Sequence, residues 1–293
     1  MMEKTWRWFG PSDKVTLEMM RQIGVEGVVT ALHQYAPGEL WPEAEIRAAK
    51  ERIEAAGLRW SVVEKVEALD RTATDADRAQ IIDTIITKTQ GFINGPLGGG
   101  GSPVERFRAL MTPYAGMTKA QLRENLRYFL EAVMPVCRQW DMRLCIHPDD
   151  PPMPVFGMPR LCCDADDIRW LLGAVDDWHN GLTFCAGSLS AGAHNDVVAM
   201  AREFAPRTHF VHLRSCDVLP GGDFVEAPHT AGRADLVELV RIFEAEGQPL
   251  PMRVDHGKTM LGDERIGYNP GYSFHGRMLA LGQVEGMMAA VRR

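Results

Sequence analysis

Short runs rich in Val, Ile, Thr and aromatic residues alternate along this chain with longer stretches whose apolar positions recur every three or four residues. That is the pattern of parallel strands joined by crossover helices. It predicts strands over Thr5–Phe9, Gly27–Leu32, Arg59–Glu64, Met142–His147, Leu182–Gly187, Thr208–Arg214 and Pro251–His256. Helices are predicted over Thr16–Ile23, Pro42–Ala56, Lys119–Trp140, Ala165–Val175, Asp196–Phe204, Ala234–Glu246 and Gly276–Ala290. Gly57, directly after the second helix, stands where a helix favours a left-handed closing residue.

Between Glu64 and Met142 the rhythm fails. A helical stretch over Asp75–Thr89 is followed by GPLGGGGSP, Gly95–Pro103, a loop by composition, and no strand pattern intervenes. A closed (β/α)8 barrel needs one strand more than the pattern supplies, so either the barrel is open or a strand is missing. The expectation is a single barrel domain over residues 1–293, flexible or incomplete around 65–118.

With 293 residues, 45% hydrophobic and 24% charged, the chain has the size and balance of one globular barrel. The net charge of −7 argues against nucleic acid and membrane surfaces as partners, since both select a basic face. A small anionic substrate remains compatible, because a few local Arg or Lys outweigh the global charge. No apolar run approaches the ~20 residues that span a bilayer, and the opening MMEKTWRWFGPSDK has no signal-peptide core. A cytoplasmic protein is expected, and its six cysteines, which show no CxxC pair, are expected to be thiols. The edges of an open barrel and a Trp-rich first strand are compatible with a homodimer.

In a parallel barrel the chemistry collects at the C-terminal strand ends. Here those ends carry His147, Cys185, His212 and Asp255, with His256 beside it. One histidine at a strand end is usually structural. Four consecutive strands that each end on a good ligand are not easily accidental. Two imidazoles, a thiolate and a carboxylate make a mixed N/S/O set suited to Mn²⁺, Fe²⁺ or Zn²⁺ rather than Mg²⁺ or Ca²⁺. Arg214 follows His212 at alternating spacing and is read as a clamp for a substrate carboxylate. Asp149 and Asp150 in HPDDPP, Arg160, Lys258, and the loop residues His229 and Tyr272 are weaker candidates.

WRWFGPSD, GVVTALH, GLRWSVVE, AQLRENL, HPDDPP, VHLRS, RVDHG and NPGYS, in that order, resemble the mannonate dehydratases of hexuronate degradation. The resemblance implies a xylose-isomerase-like TIM (β/α)8 barrel and one divalent cation, Mn²⁺ or Fe²⁺. It implies His147, Cys185, His212 and Asp255 as ligands and His256 with Tyr272 as the acid/base pair. It also implies dehydration of D-mannonate, a small sugar acid, to 2-keto-3-deoxy-D-gluconate, and Arg214 and His229 are expected from their positions to hold that substrate. Members of the family are longer just after the equivalent of Glu64, where they carry the fourth strand. This chain passes directly from SVVEKV to ALDRTATDADRAQ. The competing expectations are a sugar isomerase or epimerase on the same barrel, and a non-catalytic metal-binding protein.

Overall fold

Polar caps set where the helices begin. The side chains of Thr16, Thr118, Asp164, Asp196, Asp235 and Ser273 each accept from the backbone N–H three residues on, satisfying a donor the first turn leaves free. At Thr118 the bond is reciprocated by Gln121, a full capping box. The computed structural model describes residues 1–35, 40–64, 116–154, 157–269 and 271–293. The helix expected over Asp75–Thr89 and the loop Gly95–Pro103 lie outside the described residues.

The described strands are β1 (Met2–Arg7), β2 (Gly27–Thr30), β3 (Arg59–Val63), β4 (Leu144–Ile146), β5 (Asn180–Cys185), β6 (Thr208–His212), β7 (Ser215–Val218), β8 (Phe224–Ala227) and β9 (Leu250–Arg253). The helices are α1 (Leu17–Gln22), α2 (Glu43–Ala55), α3 (Lys119–Gln139), α4 (Ala165–Ala174), α5 (Ala186–Ala191), α6 (Val197–Phe204), α7 (Leu236–Ala245), α8 (Asp263–Ile266) and α9 (Phe274–Val291). Seven strands form one sheet in the order β3-β2-β1-β9-β6-β5-β4, and every neighbouring pair is parallel. The pairing of β1 with β9 joins the start of the chain to its end, as in a (β/α) barrel. Among the described residues β3 and β4 are the sheet's edges, at the place where the sequence pattern lacks a strand.

All seven expected strands form, with shifted limits. β1 begins at Met2 because Met2, Glu3 and Lys4 pair with Leu250, Pro251 and Met252, although the sequence there is polar. β5 stops at Cys185 because Ala186 already belongs to a helix, so the last two residues of the expected strand are helical. β6 stops at His212. Beyond it the chain makes an unexpected antiparallel hairpin, β7–β8.

Strands and helices share one core. Val28, Leu182, Phe184, Val211 and Met252 from the sheet pack with Leu126, Leu130, Ile168, Leu171, Leu239 and Phe243 from the helices. The upper rim is charged instead. Arg253 grips Glu64 through both oxygens, at 2.6 and 2.9 Å, and Arg7 meets the same carboxylate at 2.8 Å. These pairs tie the ends of β1, β3 and β9 together.

The loop that leaves β9 lies directly on the first turn of α9. A Cβ at Gly257 would sit 2.4 Å from the backbone of Gly276 and Arg277, and one at Gly276 would meet the Lys258 carbonyl oxygen at 2.0 Å. Only glycine permits that approach, which brings His256 beside Tyr272. Gly276→Ala is therefore expected to cost about 1–3 kcal/mol of stability through overpacking. Denaturant titration should show a lower unfolding midpoint, and an unchanged midpoint would mean that the two segments separate freely.

Candidate active site and metal centre

β4, β5 and β6 bring His147, Cys185 and His212 together, their donor atoms within 4.8 Å of one another. His147 stands just past the end of β4, and its Nδ1–H donates to the Pro148 carbonyl at 2.6 Å. That bond turns Nε2 inward, where it lies 3.2 Å from Nδ1 of His212. A ring whose outer nitrogen is held by a carbonyl is the usual arrangement of a metal-binding histidine. Cys185 is fully buried, and both the amide and the hydroxyl of Ser188 donate to its Sγ, at 3.5 and 3.1 Å.

Asp255 lies two residues beyond β9, with Oδ2 3.8 Å from His212 Nδ1. Its backbone is left-handed, φ 59°, a conformation seldom adopted by a residue with a side chain. The bend has a use. On a regular strand neighbouring side chains face opposite ways, yet here both Asp255 and His256 reach the site. His256 Nδ1 lies 3.0 Å from Glu226 Oε1, and its ring stands edge-on to Tyr272, centroids 5.2 Å apart. Tyr272 is packed between Phe9 and the Arg277 guanidinium, which also donates to the Tyr272 carbonyl.

Arg214 is buried at the centre, 2% exposed. Its Nε donates to Asp255 Oδ2 at 2.8 Å, Nη1 to Glu226 Oε1 at 2.6 Å, and Nη2 to Asp150 and to the Ser188 hydroxyl. Gly187 makes room for it, since a Cβ there would lie 2.3 Å from Arg214 Cγ. Sequence reasoning read Arg214 as a substrate clamp, but in the structure its donors are engaged by the protein's own groups. His229, the second expected substrate contact, is also committed. It is 6% exposed and donates from Nε2 to the Val254 carbonyl at 3.0 Å.

The electrostatics favour ligand forms at Cys185, His212 and Asp255. Burial alone would raise the Cys185 thiol, but the Arg214 and His147 charges hold it below its ordinary value. Burial would lower His147; Cys185 and the carboxylates Asp255 and Asp150 instead raise it to about 9. His212 is pushed well down by burial and by Arg253, so it is a neutral imidazole, and its Nε2 is buried without a hydrogen-bond partner among the described residues. Asp255 is held well below the carboxylate range, because the charges of His256, Arg253 and Arg214 outweigh the effect of burial. A thiolate, the neutral imidazole of His212 and a carboxylate are the states that a divalent cation requires of its ligands, and His147 would give up its proton on joining them. The residues present fit such an ion.

The other candidates are placed elsewhere. Asp149 accepts from the amides of Leu161 and Cys162 and from Arg160, so this group shapes the loop after β4. Lys258 is exposed. Glu226 was missed, and with it the hairpin that carries it. The signal was present in SCDV-LPGGD-FVEA, two short β-prone runs around a Pro-Gly-Gly turn.

The family D-mannonate dehydratase (UxuA) matches the chain over residues 2–92 and 68–293. A curated mannonate dehydratase of Marinomonas sp. (strain MWYL1) is 36% identical, with 98% of each chain covered. That alignment runs over 383 positions against the 293 residues of this chain, so the relative carries an internal stretch with no counterpart here. The crystal structure of mannonate dehydratase from Streptococcus suis serotype 2 superposes with a TM-score of 0.84 at 27% identity, covering 100% of this chain and 95% of that one. A xylose isomerase domain protein from Planctomyces limnophilus, 12% identical with a TM-score of 0.55 over 100% of this chain and 96% of its own, shares the fold. The expected xylose-isomerase-like barrel is therefore the fold observed, and neither the isomerase nor the non-catalytic reading is favoured. The chain belongs to the D-mannonate dehydratase family.

Proposed function

We propose that this chain converts D-mannonate to 2-keto-3-deoxy-D-gluconate and water, with Mn²⁺ or Fe²⁺ held by His147, Cys185, His212 and Asp255. The observation that carries the reading is the convergence of His147, Cys185 and His212 at the ends of neighbouring strands, with Asp255 3.8 Å from His212. A bound divalent cation supplies Lewis acidity to a substrate carboxylate and its neighbouring hydroxyl, which eases proton loss at C2. The mixed nitrogen, sulfur and oxygen set favours a first-row transition ion over Mg²⁺.

His256 and Tyr272 supply the proton transfers. Burial, then Asp255, push the Tyr272 phenol up to about 12, so it carries its proton at neutral pH and suits delivery to the departing C3 hydroxyl. His256, partly exposed and in edge contact with Tyr272, is the group suited to accept the C2 proton. Arg214 acts by fixing Asp255 and favouring the Cys185 thiolate. Arg214 and His229 contact the substrate, in this reading, only if they release part of their present bonding. Among the described residues no helix is long and apolar enough to cross a membrane. The cytoplasmic location proposed here rests also on the six free thiols, and a homodimer is proposed from the edges at β3 and β4.

Release of a 2-keto-3-deoxy acid from D-mannonate should require added Mn²⁺ or Fe²⁺ and stop with chelator; product formation in chelator would refute the metal-dependent reading. Cys185→Ala and His147→Ala should each lose bound cation along with activity, as elemental analysis would register. Retention of a full complement would remove that side chain from the ligand set. Tyr272→Phe should keep the cation and lower kcat by about 10²–10⁴-fold, the usual contribution of one acid–base group. Unchanged turnover would take the phenol out of the reaction.

A further inference from the structure

We propose that Glu226 is a positioning residue for the dehydration, holding His256 in the tautomer that bears its proton on Nδ1. The proposal rests on the dehydratase reading above and adds to it a residue outside the ligand set and the acid/base pair.

The geometry is specific. Glu226 Oε1 lies 3.0 Å from His256 Nδ1 and accepts a hydrogen bond from Arg214 Nη1 at 2.6 Å. A carboxylate beside a guanidinium is ionised and can only accept, so the ring nitrogen facing it must be the donor. In the neutral ring Nε2 is then the nitrogen with a free lone pair, 3.8 Å from Asp255 Oδ1. One carboxylate oxygen thus joins the catalytic imidazole to the cation that organises the metal site.

Glu226 is also held in place. It lies opposite Cys216 in the β7–β8 ladder. Cys216 is fully buried, with Sγ 3.1 Å from the Ser190 hydroxyl on α5, the helix that starts from ligand Cys185. The hairpin is therefore fastened at its base to the element that carries the thiolate. Charge balance does not account for Glu226, because Asp150 and Asp255 already face the single charge of Arg214. Its side chain is 42% exposed, within reach of a small anion from solution.

A bond that merely anchored the hairpin would affect folding and cation retention, whereas a bond that sets the His256 tautomer should affect turnover. Glu226→Ala is expected to lower kcat about 10- to 100-fold, the usual cost of losing a carboxylate that orients a histidine. KM should stay within about twofold, as for a group that acts in the transition state rather than in binding. Cation content should match that of the unsubstituted protein, and added formate should restore part of the lost kcat. Glu226→Gln, which keeps an acceptor oxygen and the hairpin's shape, should lose less, and it serves as the test if the alanine variant folds poorly. Unchanged kcat in both variants overturns the proposal, as does a kcat that falls only in step with lost cation and ignores formate. Absence of any 2-keto-3-deoxy acid from the unsubstituted, metal-loaded protein overturns the dehydratase reading instead, and the Glu226 assignment with it.

Discussion

A guanidinium sealed from water is the constraint around which this site is arranged. Burying a charge costs several kcal/mol unless it is paired and hydrogen-bonded, and Arg214 meets that cost by drawing partners from separate parts of the chain. Asp150 comes from the loop after β4, Ser188 from α5, Glu226 from the hairpin and Asp255 from beyond β9. Each partner fixed in this way fixes something else. Asp255 is aimed toward the donors, Cys185 is favoured as a thiolate, and Glu226 is placed beside His256. Removing the charge would leave three neighbouring acids, with Asp255 buried among them, and no cation common to all three.

Much of this was legible in the residue pattern. The alternation of β-prone runs and amphipathic stretches located all seven barrel strands, since that periodicity follows from burial on the two faces of a sheet. The ligand candidates followed from one further rule, that barrel chemistry gathers at the C-terminal strand ends, and the clustering of His147, Cys185 and His212 in space agrees with it. What stayed hidden depends on where side chains end up. Nothing local to VHLRS says that Arg214 will spend its donors on three carboxylates, two of them more than 40 residues from it in sequence. Asp150, Glu226 and Asp255 become neighbours only once the strands are laid side by side. His229 lies in a loop as read, but its burial was hidden because its carbonyl partner, Val254, lies just past another strand's end. The hairpin was overlooked for a different reason, its strands being four residues each and easily absorbed into a loop.

The left-handed turn at Asp255 shows how a strained residue can be retained by its surroundings. Its carboxylate is claimed by Arg214 and Arg253, and the loop beyond it is pressed against α9 through Gly257 and Gly276. Held from both sides, the backbone keeps a conformation that costs of order 1–3 kcal/mol. With the backbone so turned, two adjacent side chains face one site. Arg253 extends this support to Glu64, so the position of a proposed metal ligand depends on a residue at the far edge of the sheet.

β4 has three residues, and among those described it is paired on one side only, with β5. His147 follows it directly. A strand of three residues is a part of a sheet ready to fray, and the residue after this one is a donor of the proposed cation. Strand docking and ion binding are then linked equilibria: an ion that bridges β4, β5 and β6 stabilises the docked strand by the same free energy that docking adds to its own affinity. An ion held there would be a rivet at this strand as well as a reagent, and starving the protein of it would loosen the fold from that strand inward.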